Sequence, residues 1–240
     1  MKTDSQTDKV KAKDSFILWL AYHFFNLLRQ VSLFQQIRNI SKWVFKSRFR
    51  KRNTEATPDE INKAWAESKP FVNSYIFPDL WVISNLVVGI AACFIIPATS
   101  CKWLCWVLVI YATLRTFEIF VYQINVLLFD PIKAGRANYK IKSATRMILL
   151  LLCNIVEYVL WFSVIYLFVY KTGGEGTSAS NIIRESFLII SNNARPEEMT
   201  TNSFVATIAY LEFILGLFMN LLCLARFISL LPAVQQVDEY

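Results

Sequence analysis

Residues 203–231 read SFVATIAYLEFILGLFMNLLCLARFISLL, a run of 29 residues, almost all apolar, interrupted by Glu212, Gly216, Asn220, Cys223 and Arg226. A hydrocarbon core of ~30 Å is crossed by roughly 20 such residues in a helix, so this run is long enough to span. Three earlier apolar stretches of crossing length, 81–98, 103–129 and 147–170, make the chain polytopic. At 240 residues, 55% hydrophobic and 15% aromatic, it has too little polar sequence to clothe a second globular unit. These features predict an all-α membrane protein. It should have four transmembrane helices, a short helix between the last two, and amphipathic N-terminal helices on the cytosolic side.

The formal charge of +7 is explained by topology, and no nucleic-acid partner is needed. Fourteen of the 25 Lys and Arg precede residue 81, and Lys133, Arg136, Lys140, Lys142 and Arg146 crowd the second connection. Such an excess beside spans marks the cytoplasmic face. An even number of spans then puts both termini in the cytoplasm and residues 171–202 outside. The expected location is a cell or inner membrane. The polar run 1–14 precedes Phe16 with no small-residue cleavage site after the apolar stretch, so targeting is expected to rest on the spans.

Residues 16–45 alternate apolar blocks with Asn26, Arg29, Gln30, Gln36, Asn39 and Lys42 at near-helical intervals. They read as one amphipathic helix, lying either in the headgroups or against the membrane domain or a cytosolic partner. His23, the only histidine, reads as a packed aromatic. Lys46, Arg48, Arg50, Lys51 and Arg52 form a basic cluster, attracted to an anionic membrane surface by about 1 kcal/mol per residue. Thr57-Pro58-Asp59-Glu60 supplies an N-cap, a first-turn proline and a capping-box glutamate, predicting a helix over 58–68. The cysteines Cys93, Cys101, Cys105, Cys153 and Cys223 lack metal-ligand spacing and read as small hydrophobes, so neither a metal nor a cofactor is expected.

Inside span two, Tyr111, Arg115, Glu118, Tyr122 and Asn125 recur at steps of four, three, four and three, one helical face. A charge at mid-membrane costs at least ~2.5–3.5 kcal/mol, so Arg115 and Glu118 should pair with each other or with span three, where Glu157 is the candidate. They make either a structural seam or part of an ion path. In span four, Glu212, Gly216, Asn220 and Cys223 also share a face. That stripe either lines a water-filled path with Gly216 as hinge or packs closely on a neighbouring helix. Between spans three and four, Gly173, Gly174 and Gly176 mark a loop. From Ser180 onward the residues up to Ser191 make two to three helical turns, too short to span. This piece is either re-entrant or a cap on the outer surface.

Span, short helix, return loop and glycine-containing last span resemble the pore module of the two-transmembrane ion-channel family, best known from potassium channels. The local likeness is carried by Ile208-Ala-Tyr-Leu-Glu-Phe-Ile-Leu-Gly216-Leu-Phe-Met-Asn-Leu-Leu-Cys-Leu-Ala-Arg226, similar to that family's inner helix, and by residues 184–190 in the place of its pore helix. The resemblance covers about 90 residues. It implies a homo-oligomer, tetrameric as in the family, with a re-entrant pore helix. It places Ser191, Asn192, Asn193 and Arg195 at a constriction and Glu212, Gly216 and Asn220 along the pore. The family's filter, Thr-Val-Gly-Tyr-Gly, offers carbonyls in place of the ion's hydration shell. Here the chain reads Ile190-Ser-Asn-Asn-Ala-Arg-Pro196, without glycine, so selectivity should differ from the potassium type.

The implied organisation is N-terminal helices over 1–80, a transmembrane hairpin over 81–129, a basic cytosolic loop over 130–146, a channel-like pore module over 147–231 and a cytosolic tail over 232–240. Neither His-Glu-x-x-His nor paired intramembrane aspartates occur, which argues against an enzyme. The expected function is an oligomeric ion-conducting pore; the alternative is a four-span adaptor, sensor or anchoring subunit.

Overall fold

The computed structural model describes residues 16–53, 57–68, 74, 76–129, 144–174, 176–194 and 202–230. Among them every regular element is helical: α1 (Phe16–Val31), α2 (Leu33–Arg52), α3 (Pro58–Glu67), α4 (Ile76–Ala98), α5 (Lys102–Ile124), α6 (Ala144–Thr172), α7 (Ala179–Ile190) and α8 (Ser203–Leu230). The last turn of α5 widens into a π-helical segment, Asn125–Phe129. Four helices, α4, α5, α6 and α8, are long and apolar enough to cross a membrane. The basic connection at 130–143, Arg195 and the tail from 231 lie outside the described residues.

Helix α6 is the axis of the bundle. From Tyr158 to Phe168 it is buried on nearly every side, as befits a helix that is apolar all round. The other spans and α7 pack about it. On α4, Gly89 lets Leu160 approach so closely that an added Cβ would stand 3.2 Å from the Leu160 Cβ. One helical turn further, the Cys93 thiol donates to the Leu160 carbonyl at 3.5 Å. Both ends of the α4–α6 pair are fastened by charge. Arg146 grips Asp79 through Nε–Oδ2 at 3.1 Å and Nη2–Oδ1 at 2.7 Å. At the other end, Lys171 Nζ donates to the carbonyls of Ile96 and Thr99, satisfying acceptors that the termination of α4 leaves free. Helices α4 and α6 are thus parallel, and the short connection at 99–101 turns the chain back into α5.

The N-terminal region departs from the single amphipathic helix expected over 16–45. Ser32 divides it: its hydroxyl accepts the Gln35 N–H at 3.2 Å and caps α2 as a separate helix. The division also separates composition, since α1 is rich in aromatic and aliphatic residues, whereas α2 carries seven Lys and Arg and no acid. Helix α1 lies against the end of α5, with Phe25 facing Phe120 and Phe129 and Tyr22 facing Phe129. His23 is packed edge-on to Trp19 and Tyr22. The expected capping box begins α3, with Thr57 N–H on Glu60 Oε2 at 2.9 Å. Helix α3 folds back on α2 through Phe45 and Trp65. Helix α4 begins at Ile76, five residues before the apolar run at Trp81.

Candidate functional site

Two polar clusters are built into the bundle. The first runs along α5, and its members reach four different helices. Tyr111 donates to Asn85 Oδ1 on α4 at 2.6 Å. Arg115 reaches Glu157 on α6 through Nε and Nη2, both 2.8 Å from Oε2, and Glu118 through Nη1 at 2.6 Å. Asn125 Nδ2 donates to the Phe25 carbonyl of α1 at 3.2 Å. Glu118 Oε1 accepts the Phe34 N–H in the first turn of α2 at 2.6 Å. Arg115, Glu118 and Glu157 are all buried. The guanidinium also stands 5.6 Å over the Trp81 ring, within cation–π range.

This arrangement places one cation between two carboxylates. Removed from water, such a group is tolerable only with its partners in place. Glu118 gains a further donor from the positive end of α2, where the first N–H groups have no partner within the helix. The seam thus ties the N-terminal helices to the membrane bundle. The step pattern on α5 foretold the shared face and the Arg115 pairing. Asn85 and the Phe34 N–H were not foretold.

The second cluster joins α8 to α7 and α6. Glu212 is fully buried, accepting the Tyr166 hydroxyl at 2.6 Å and approaching Ser186 Oγ at 2.5 Å. Ser186 is also 3.1 Å from the Val159 carbonyl. One turn along, Gly216 lies against the end of α7: a Cβ built there would be 2.9 Å from Ile190 Cα and 3.0 Å from its carbonyl oxygen. Asn220 Nδ2 then donates to the Ile190 carbonyl at 2.7 Å. The stripe expected to face water therefore faces α7 within the chain. Its glutamate, glycine and asparagine form the socket of the short helix, because a polar face in an apolar setting takes whichever polar groups lie nearest.

Ser191, Asn192 and Asn193, which the resemblance placed at a constriction, have equally local duties. Asn192 has φ 59°, the left-handed conformation that closes many helices. Its N–H donates to the Ile189 carbonyl at 3.0 Å, and the Asn193 N–H to the Leu188 carbonyl at 2.8 Å, a Schellman turn. Ser191 precedes this turn as the C-cap of α7, and Asn193 Nδ2 reaches its hydroxyl at 3.0 Å. Asn192 and Asn193 are exposed. Tyr166 and Ser186, the hydroxyl partners of Glu212, were missed from sequence; the one available signal for Ser186 was a polar residue on the apolar side of α7.

The basic cluster occupies the last turns of α2, with Arg48, Arg50, Lys51 and Arg52 exposed and Lys46 half-buried. All five cysteines are free, and the described residues contain no group of three metal-ligating side chains. Comparison of the chain with family models, curated proteins and solved structures finds no significant match.

Proposed function

We propose that the chain forms an oligomeric, channel-like assembly that conducts ions with a selectivity unlike that of potassium channels. In this reading α7 is re-entrant, both termini are cytoplasmic, and the basic end of α2 meets anionic lipid. The carrying observation is the seat of Ile190 on Gly216 and Asn220. These residues lie 13 and 17 positions into α8, about 20 and 26 Å from its start at 1.5 Å per residue. The non-helical backbone at 191–194 would then lie deep in the membrane, where irregular chain survives only if buried in protein or lining a cavity. A single chain supplies one such segment, so enclosing a path requires further copies. Helix α8 is the least buried of the four spans, which leaves a face for them.

A second reading is favoured by a specific observation. Glu212, Gly216 and Asn220 are all engaged by α6 or α7, as in a four-span anchoring or adaptor subunit that uses its polar residues for packing alone. Ion flux into liposomes separates the two. Conduction predicts flux from the wild type that changes in Asn192→Trp and in Gly216→Leu protein that still elutes as a single species. Absence of flux at every potential and pH tried leaves the anchoring reading. Crosslinking in the membrane tests self-association separately.

A further inference from the structure

A cavity of about 130 Å³ lies where the first turn of α2 meets α4, α5 and α6. Phe34, Trp81, Val82, Ile119, Val126 and Leu150 supply most of its wall, and the buried Arg115 and Glu118 line it too. An engineered apolar cavity of about 150 Å³ takes up benzene, so this one has room for a short hydrocarbon segment. Tyr122, which lines it, is 44% exposed, so the cavity lies next to the outer face of α5. Tyr122 belongs to a span whose outward residues, Ile110, Leu114 and Phe117, are large and apolar. In a membrane the medium against that face is lipid. Ser32, Gln35 and Arg29 border the cavity from the joint between α1 and α2, and α2 continues from there with seven basic residues and no acid.

We propose that this cavity holds a segment of one acyl chain of an anionic membrane lipid, whose headgroup is drawn to the basic side of α2. The segment enters past Tyr122 and rests on Trp81 and Ile119. It presses against Phe34, whose backbone N–H is bonded to Glu118, so the bound chain fixes how α2 is seated on the bundle. The site rests on membrane embedding and is independent of conduction.

The test uses the full chain in vesicles of phosphatidylcholine containing a trace of phosphatidylglycerol with a diazirine on one acyl chain. After photolysis, labelled residues are mapped by mass spectrometry. The expected labels fall on Val82, Ile119, Val126 or Leu150, and disappear with excess unlabelled phosphatidylglycerol. Label on the outward residues Ile83 and Leu114 persists and reports that the protein is in the bilayer. Ile119→Trp, or Val82→Phe where the tryptophan variant does not fold, removes the cavity labels and spares Ile83 and Leu114. Labels confined to Ile83 and Leu114 overturn the site. Equal displacement by phosphatidylcholine overturns the anionic assignment.

Discussion

Helices α5 and α8 each carry polar residues on one face through an apolar span, yet the two stripes are satisfied in different currencies. On α5, Arg115 is met by two carboxylates and the stripe fastens four helices. On α8, Glu212 is met by two hydroxyls, Gly216 by backbone and Asn220 by a carbonyl, all but the Tyr166 hydroxyl on α7. A guanidinium buried at mid-span is costly without opposite charge beside it, and Arg115 takes one carboxylate from its own helix and one from α6. A buried carboxyl with hydroxyl donors needs only neighbours that fit. The α5 stripe is thus a global fastener and the α8 stripe a local socket, a difference that substitution resolves.

The largest effect is expected at Arg115. Arg115→Met leaves Glu118 and Glu157 buried without their cation, a loss of about 3–5 kcal/mol, read as loss of the single folded species on size exclusion and a collapse in thermal stability. Removing Glu118 as well restores little, since Glu157 is still stranded. Arg115→Met combined with Glu118→Gln and Glu157→Gln recovers most of the stability. Full recovery on adding only Glu118→Gln to Arg115→Met would show that Glu157 does not depend on the guanidinium.

Next comes Gly216. In Gly216→Ala the new methyl meets the backbone of Ile190 at 2.9 Å, and a helix end held by Asn220 cannot step aside. Overpacking of this kind costs about 1–3 kcal/mol. The internal comparison is Gly89→Ala, whose nearest neighbour is the Leu160 Cβ at 3.2 Å, a side-chain atom with some freedom to yield. Thermal unfolding of the two variants should rank Gly216→Ala as the more damaging, and the reverse order would mean that α7 is not firmly seated. Glu212→Gln follows with a smaller loss of about 1 kcal/mol, because an amide can accept one hydroxyl and donate to the other. A loss as large as that of Arg115→Met would show that charge, and not hydrogen bonding, is what Glu212 contributes.

The same contrast explains what could be read from sequence. Spacing along one helix is visible: four apolar runs, the α5 face and the Thr57–Glu60 cap all appear as drawn. Arg115 could be assigned partners because charge restricts the candidates, and Glu157 was the carboxylate available on span three. Glu212 could not, because Tyr166 and Ser186 are two among many hydroxyls. The division at Ser32 was hidden because apolar periodicity continues across it, and only the cap breaks the backbone. Glu118's contact with Phe34 was hidden because a backbone N–H has no sequence signature.

The finest distinction is at Asn192, where two duties coincide on one residue. Its backbone closes α7 at φ 59°, a conformation that costs most residues about 1–2 kcal/mol and glycine almost nothing. Its exposed side chain is the part that a constriction would use. Asn192→Val should therefore destabilise by about 1–2 kcal/mol through the turn alone, whereas Asn192→Gly should leave thermal stability within a few tenths of a kcal/mol of the wild type. The glycine variant thus removes the side chain while keeping the helix end in place. If flux changes in Asn192→Gly protein of unchanged stability, the side chain acts on permeation. If both flux and stability are unchanged, the asparagine is there for its backbone, and α7, like the α8 stripe beneath it, is explained by packing.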